Sequence, residues 1–514
     1  MNTTKKTAPT SAAKIFISYP PLSSQKGKPF LSQNRQFQWT NTGNIIYPVI
    51  PAYGASALKK LGYDVYWDDA IAKNLTYKVW LKNLITKKPN LVFIESKTPV
   101  IKRHWQIIKD IKKASSKIVD WRLKIILMGD HVTALPKESF SMCPVDYVIT
   151  GGDYDFMMIN LANHLYKGEK LEPGFYYRSH SKTKSLLNYS SNILNSGPFA
   201  LKHHHLDVLP IIDRQLTNWE LYAYENTNYK YTPGSYMMTG RDCWWGKCTF
   251  CSWTTTHPFG TFRTFSVKHT LDEVENLINL GVKEIFDDSG TFPVGKWLED
   301  FCNGMIDRGF HKKIKFGCNM RFGALNQEQY NLMGKAGFRF ILYGLESSNQ
   351  NTLNRIAKLT KTEDARKTLT MAKKAGLEPH LTIMIGYPWE KISDAQKTLD
   401  EAKSLFRDGL ADSMQATRII AYPGTPLFAE AKRKKWLLTD DWDDYDMRQA
   451  VMKSPLTHQQ QEELIQNLFK GVLTPKFLIR KVISIRSLAD IKYLYTYATK
   501  FLKKLQDFPK NPIH

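Results

Sequence analysis

The sequence predicts an α/β protein built as two successive strand–helix units followed by a helical region. The first unit, residues 14–167, reads as a parallel sheet covered by helices on both faces. The second, residues 234–430, reads as a partial eight-stranded α/β barrel with six βα units. Residues 1–13 are expected to form a disordered N-terminus, 168–233 a linker, and 431–514 a mainly helical region. Three observations carry this reading. Short apolar runs alternate with helix-like stretches in both units. Small and polar residues collect directly after the apolar runs. The AVILMFWYC set makes up 42% of the 514 residues, enough for large packed cores and too much for a disordered or fibrous chain.

In the first unit the apolar runs are Lys14–Ser18, Tyr63–Trp67, Leu91–Ile94, Lys124–Met128 and Tyr147–Thr150. Helical stretches lie between them near Pro48–Leu61, Tyr77–Leu84, Val100–Lys113, Lys137–Ser141 and Asp155–Leu165. Open parallel sheets bind ligands at the loops after the carboxyl ends of their strands. Those loops hold Tyr19 and Pro20; Thr98; Gly129, Asp130, His131 and Thr133; and Gly151 and Gly152. Ordinary turn chemistry accounts for the same residue types, so a ligand site and a set of plain turns are both open here. A lone loop histidine such as His131 is more often a hydrogen-bonded turn residue than a metal ligand.

Between 168 and 233 the pattern weakens into Ser-, Asn- and Lys-rich stretches. His203-His204-His205 lies there without a neighbouring cysteine, and three adjacent side chains cannot all point at one ion. A polar linker is the expectation.

Six cysteines are too few for a disulfide scaffold, and three of them, Cys243, Cys248 and Cys251, fall within nine residues. A structural zinc site takes four protein ligands. Three thiolates without a fourth neighbour also suit an iron–sulfur cubane with one iron left free. His257 offers a fourth ligand for zinc, although packing or capping suits it better.

The second unit places apolar runs at Tyr236–Gly240, Glu284–Asp287, Lys315–Cys318, Arg339–Tyr343, Leu381–Ile385 and Gln415–Ile420. Helical stretches intervene at Thr270–Leu280, Trp297–Arg308, Gln327–Ala336, Ala365–Ala375 and Ala395–Arg407. Barrels of this kind do their chemistry at the carboxyl ends of the strands. The residues there include the three cysteines, Asp287 and Asp288, Asn319 and Arg321, Glu346, and Gly386. Together they suit a zwitterionic, hydroxyl-bearing ligand held against a metal centre. An ion pair between Arg321 and Glu346 is the competing account of those two residues.

Lys plus Arg is 72 against 48 Asp plus Glu, a net charge of +24 that favours anionic partners. The chain has no apolar run long enough to span a bilayer and its first residues lack the apolar core of a secretory signal, so a cytoplasmic protein is expected. From Lys470 to His514 ten Lys/Arg stand against two Asp, interleaved with apolar residues. Such helices usually pack on the domain with a solvated basic face; contact with an acidic membrane surface is the minority expectation.

With these motifs in order, residues 14–430 resemble the cobalamin-binding radical S-adenosylmethionine enzymes, the group that includes anaerobic Mg-protoporphyrin monomethyl ester cyclases and cobalamin-dependent radical methylases. The resemblance rests on Tyr19-Pro20-Pro21, Thr133-Ala134-Leu135-Pro136 and Val145–Val148 in the first unit, and on Leu206–Pro210 between the units. In the second it rests on the cysteine loop, Gly344–Ser347, Gly386–Glu390 and Tyr422–Leu427. The family's usual cysteine spacing is Cys-x3-Cys-x2-Cys, whereas this chain reads Cys-x4-Cys-x2-Cys. Asp287-Asp288-Ser289 stands where the family has a Gly-Gly-Glu-like edge, and no Asp-x-His-x-x-Gly motif is present.

The resemblance implies a flavodoxin-like (Rossmann-like) cobalamin domain before a radical barrel. It implies a [4Fe–4S] cluster on Cys243, Cys248 and Cys251, and S-adenosylmethionine positioned by Asp287, Asp288, Asn319, Arg321, Glu346 and Gly386. Cobalamin would lie against Tyr19, Pro20, Thr98, Gly129, Asp130, His131, Thr133, Gly151 and Gly152, with no protein histidine as its lower ligand. The implied reaction is methylation of an unactivated carbon through a 5′-deoxyadenosyl radical, fed by a flavodoxin- or ferredoxin-type electron donor. The substrate would be a small or lipid-like molecule. Oxidative cyclisation is the alternative. An RNA-modifying radical enzyme and a non-catalytic cobalamin sensor rank lower, because the first 240 residues hold only Cys143 and because a sensor would have no use for the cluster loop; no nucleic-acid partner is expected.

Overall fold

The computed structural model describes residues 12–22, 24–31, 38–40, 45–179 and 192–506. Most of the stretch expected to be disordered, residues 1–11, lies outside the described residues.

The first sheet contains β1 (Lys14–Tyr19), β2 (Asp64–Asp69), β3 (Leu91–Glu95), β4 (Lys124–Met128), β5 (Tyr147–Ile149), β6 (Phe175–Arg178) and β7 (Ile193–Asn195). Their spatial order is β2-β1-β3-β4-β5-β6-β7. The first five are parallel and follow the flavodoxin-like order, with helices between consecutive strands. Ile15, Ile17, Val92, Phe93, Ile94 and Ile125–Met128 are fully buried. Burial on both faces is why these strands read as unbroken apolar runs rather than alternations. The described part of the expected linker is more ordered than its composition implies. β6 and β7 come from it and extend the sheet antiparallel, and it also buries Leu206, Trp219, Tyr222 and Tyr229.

The second sheet runs in sequence order as β8 (Gly234–Met237), β9 (Glu284–Asp287), β10 (Lys315–Met320), β11 (Phe338–Glu346), β12 (Glu378–Ile385) and β13 (Ser413–Arg418), all parallel. This curled six-strand sheet is the partial barrel expected from the sequence. Helices such as Val267–Asn279 and Ile392–Arg407 bury one apolar stripe against it. The amino-terminal end is closed by charge: Arg339 pairs with Glu284 and Glu378, and Lys230 with Glu378 and Asp490. The carboxyl end is left to the loops. In β11 the register with β12 shifts between Gly344 and Glu346. Such a bulge bends the strand and re-aims the side chain at its end.

The two sheets meet at their carboxyl edges. Helix Asp130–Ala134, after β4, packs against helix Trp253–Thr256, after the cysteine loop. A Cβ on Gly152 would lie 2.4 Å from the His257 ring, so only glycine permits this approach. Arg241 is fully buried and donates to Asp155 at 2.6 Å, with Asp153 at 3.5 Å; Arg263 holds Asp153 at 2.8 Å.

His204 belongs to the same lock, which corrects its reading as part of a polar linker. It is buried between Asp153 (2.9 Å) and Glu172 (3.0 Å) and stacks on Phe156. Burial alone would lower its basicity. The hydrogen bonds and charges of Asp153 and Glu172 outweigh that and raise its pKa from 6.5 to about 9. A folded-state pKa above the unfolded one gives stability that is full below about pH 6.5 and lost as pH rises through about 9. Urea unfolding midpoints are therefore expected to fall across that window in the wild type and to fall much less in His204→Gln. Parallel pH profiles would show His204 to be uncharged in the lock.

The region after residue 430 is helical at His458–Val472, Pro475–Ile483 and Leu488–Gln506. The stretch 434–457 has only a single 3-10 turn, Trp442–Asp444, and returns across the first sheet's carboxyl edge. Trp442 packs on the His131 ring and donates to Glu138 at 2.9 Å, and Lys102 pairs with Asp441 and Asp443. Among the described residues no helix is long and apolar enough to cross a membrane.

Candidate active site at the barrel mouth

A cavity of about 250 Å³ opens at the carboxyl end of the second sheet. Its wall contains all three clustered cysteines together with Asn319, Arg321, Glu346 and Lys358; Phe250, Trp253, Leu342 and Met384 supply apolar lining. The cysteine loop leaves the first barrel strands and turns over the mouth, where Thr249 N–H donates to the Ile356 carbonyl and Leu427 N–H to the Thr249 carbonyl. Cys243 Sγ lies 3.0 Å from Thr291 Oγ1. Burial pushes the Cys248 thiol up to about 11 and the Cys251 thiol higher still. Thiols raised in this way become thiolates only when a cation takes the proton's place. Among the described residues no three Cys, His, Asp or Glu side chains converge on one ion; a cubane needs no such convergence, because each thiolate meets its own iron.

The expected methionine-positioning residues divide into two groups. Asn319, Arg321 and Glu346 line the cavity. Asn319 Nδ2 donates to the Ser289 carbonyl at 2.8 Å, which orients its amide. Arg321 lies 3.8 Å above the Trp245 ring and donates to the Lys358 carbonyl. These are its partners, not Glu346, so the competing ion-pair account does not hold. Glu346 has φ of +59° and pairs with Lys358 at 2.8 Å.

Asp287, Asp288 and Gly386 do not line the cavity. The Asp287 carboxylate is buried and accepts from Thr239 N–H at 2.6 Å and Ser289 N–H at 3.1 Å; burial raises its pKa to about 7. It ties its own turn to the segment after β8. Asp288 is buried too, its N–H bonded to the Met237 carbonyl. Gly386 lies instead against helix His458–Val472, where a Cβ would meet the Gln461 amide at 2.9 Å. After β9 the residues that do reach the cavity are Gly290 and Thr291.

Lys358 is the residue that sequence reasoning missed. It sits in the loop after a short helix, Gln350–Arg355, and is brought over the mouth only by the fold. Burial alone would lower its basicity. The charge and hydrogen bond of Glu346 outweigh that and raise it.

At the first sheet's edge the expected residues come together in a buried polar layer. Tyr19 donates to Glu95 at 2.7 Å, and Lys97 pairs with Asp130 at 3.1 Å. His131 is fully buried, with Nδ1 3.2 Å from Thr98 Oγ1 and Nε2 2.9 Å from Glu138. Thr133 donates to the Gly129 carbonyl and accepts from Gly151 N–H. Gly129 has φ of +132°, and a Cβ there would fall 2.0 Å from the Ser96 carbonyl oxygen, so no other residue fits. Pro20 is buried beside Tyr19. Several buried polar atoms here have no protein partner: Glu95 Oε1, Tyr154 Oη, Thr255 Oγ1, and both ring nitrogens of His257. Unsatisfied buried groups are rare and mark a ligand or ordered water.

Residues 237–402 match the family described as the radical SAM superfamily. The chain thus carries a radical S-adenosylmethionine domain and is an enzyme of that kind. It is 26% identical over 444 residues to an uncharacterized methyltransferase of Pyrococcus horikoshii, covering 85% of this chain and 90% of the relative. It is 24% identical to the anaerobic magnesium-protoporphyrin IX monomethyl ester cyclase of Cereibacter sphaeroides over 79% of this chain and 63% of that protein. Its fold is that of the radical S-adenosylmethionine methyltransferase TsrM from Kitasatospora setae, solved with cobalamin and a [4Fe–4S] cluster bound. The TM-score is 0.65 at 11% identity, covering 96% of this chain and 99% of that one.

Proposed function

We propose that this enzyme is a cobalamin-dependent radical S-adenosylmethionine methyltransferase that methylates an unactivated carbon of a small molecule. The observation that carries the reading is the meeting of two carboxyl edges. One bears three thiols, Asn319, Arg321, Glu346 and Lys358 around a single cavity; the other bears a buried polar layer with unsatisfied groups, set directly against the cysteine loop.

Cys243, Cys248 and Cys251 would hold the cluster, since three thiols on one loop and one wall suit a cubane with an open iron. Glu346 would accept from the methionine amine, while Arg321 and Lys358 would face its carboxylate. The orphaned Glu95, Tyr154, Thr255 and His257 atoms suit cobalamin, whose side-chain amides both donate and accept. Both His131 nitrogens already face Thr98 and Glu138, which supports a cobalamin without a histidine lower ligand. When bound, these groups supply the radical and the methyl group, and the chain supplies placement and water exclusion. Trp245, Phe250, Trp253 and Met384 shield the cavity. A cytoplasmic setting and a flavodoxin- or ferredoxin-type donor complete the reading.

The test uses methyl-labelled S-adenosylmethionine with candidate substrates. Label is expected in product, with S-adenosylhomocysteine and 5′-deoxyadenosine accumulating together, two S-adenosylmethionine being consumed per methyl. The likeness to the cyclases favours one alternative: 5′-deoxyadenosine forming with product that carries no label would replace methylation with oxidative cyclisation.

A further inference from the structure

The C-terminal helices present an inverted surface. In helix Pro475–Ile483 the basic residues Arg480 and Lys481 turn inward. Arg480 donates to the carbonyls of Phe406 and Arg407, and Lys481 pairs with Asp412 at 2.9 Å. Phe477 is the one side chain of this helix that is buried. The apolar residues Leu478, Ile479, Val482 and Ile483 face outward, and Leu488, Ile491 and Tyr495 of the next helix do the same. Their exposure runs from 50% at Leu478 to 84% at Leu488. A helix packing for its own domain's stability buries this face. Seven large apolar side chains clustered on two consecutive helices mark a surface that something covers.

The surrounding charge says what that is. Residues 470–506 hold nine Lys/Arg and one Asp, and Lys470, Lys476, Arg486 and Lys492 are exposed beside the apolar residues. Asp490, the single acid, is turned inward against Lys230. A second copy of this chain would bring the same cations face to face. An acidic lipid surface satisfies both features, apolar side chains entering the acyl boundary and cations meeting headgroups.

We infer that helices Pro475–Ile483 and Leu488–Gln506 dock the enzyme peripherally on an anionic membrane surface. The docking face lies at the amino-terminal end of the barrel strands, beside Glu378 and Arg339, away from the mouth. It is therefore a tether that leaves the cavity open to the aqueous side, and the basic tail carries no information about whether the substrate is lipid-like. This inference stands independently of the reaction.

The full-length protein should be sedimented with phosphatidylglycerol–phosphatidylcholine vesicles and with pure phosphatidylcholine vesicles. Binding is expected to be at least about tenfold stronger to the acidic vesicles and to weaken with salt. The quadruple variant L478Q/I479Q/V482Q/I483Q is expected to lose at least about tenfold in affinity while keeping the wild-type circular dichroism and unfolding midpoint. Absent binding at low salt, equal binding to both vesicles, or undiminished binding by the quadruple variant overturns the inference. So does a concentration-dependent dimer that the variant abolishes, since the occupant would then be a second copy.

Discussion

Replacing Cys243, Cys248 and Cys251 together with alanine will remove iron from the anaerobically reconstituted enzyme, from about four atoms per chain to nearly none. The loss should be complete because the three thiols share one loop and one cavity wall, and no other cysteine lies among the lining residues. Cys143 is buried under the first sheet with its S–H directed at the Ser139 carbonyl, 3.3 Å away, and Cys302 and Cys318 are buried in the barrel core. Cys143→Ala should therefore keep its full iron content and its cubane absorption. Iron analysis and the visible spectrum of both variants decide the matter. Full iron in the triple variant would move the cluster elsewhere; zinc in the wild type would make the loop a structural site.

Arg241→Met is expected to destabilise the protein by about 3–5 kcal/mol. The guanidinium is fully buried and holds Asp155 at 2.6 Å, with Asp153 at 3.5 Å, so its loss strands the Asp155 carboxylate without a cation. Asp153 keeps Arg263 and His204, which places the cost mainly on Asp155. The double variant R241M/D155L removes both charges and should recover much of the loss, as replaced buried ion pairs commonly do. Urea unfolding of wild type, the single variants and the double variant closes this cycle. A loss under about 1 kcal/mol for Arg241→Met would mean that the Arg241–Asp155 pair contributes little to the edge-to-edge joint, which would then rest on packing and the Arg263–Asp153 pair.

Much of the fold was legible because it is written locally. Lys14–Tyr19, Leu91–Glu95 and Lys124–Met128 read as strands since a sheet covered on both faces demands unbroken apolar runs. Helices such as Ile101–Ser115 read as helices because their apolar residues recur at three and four. β6 and β7 were not legible: strands of four and three residues at the end of a sheet are too short to write either pattern, and the polar composition around them reads as linker.

The site divides in the same way. The cysteine cluster is a matter of spacing within one loop, so the sequence alone determined that three thiols open the second unit and that the strand ends after them form one mouth. Which strand-end residues face that mouth was decided by tertiary structure. The Asp287 carboxylate accepts from the backbone of its own turn and of the segment after β8, at Ser289 and Thr239, and does not line the cavity, whereas Asn319, one strand over, does. Glu346 reaches the mouth through a bulge that only the pairing of β11 with β12 reveals. Lys358, the stretch 434–457 over His131 and the lock around His204 depend on contacts between residues far apart in the chain. Such contacts leave no periodicity in either partner, because each is stabilised by a surface that exists only once the two sheets have met.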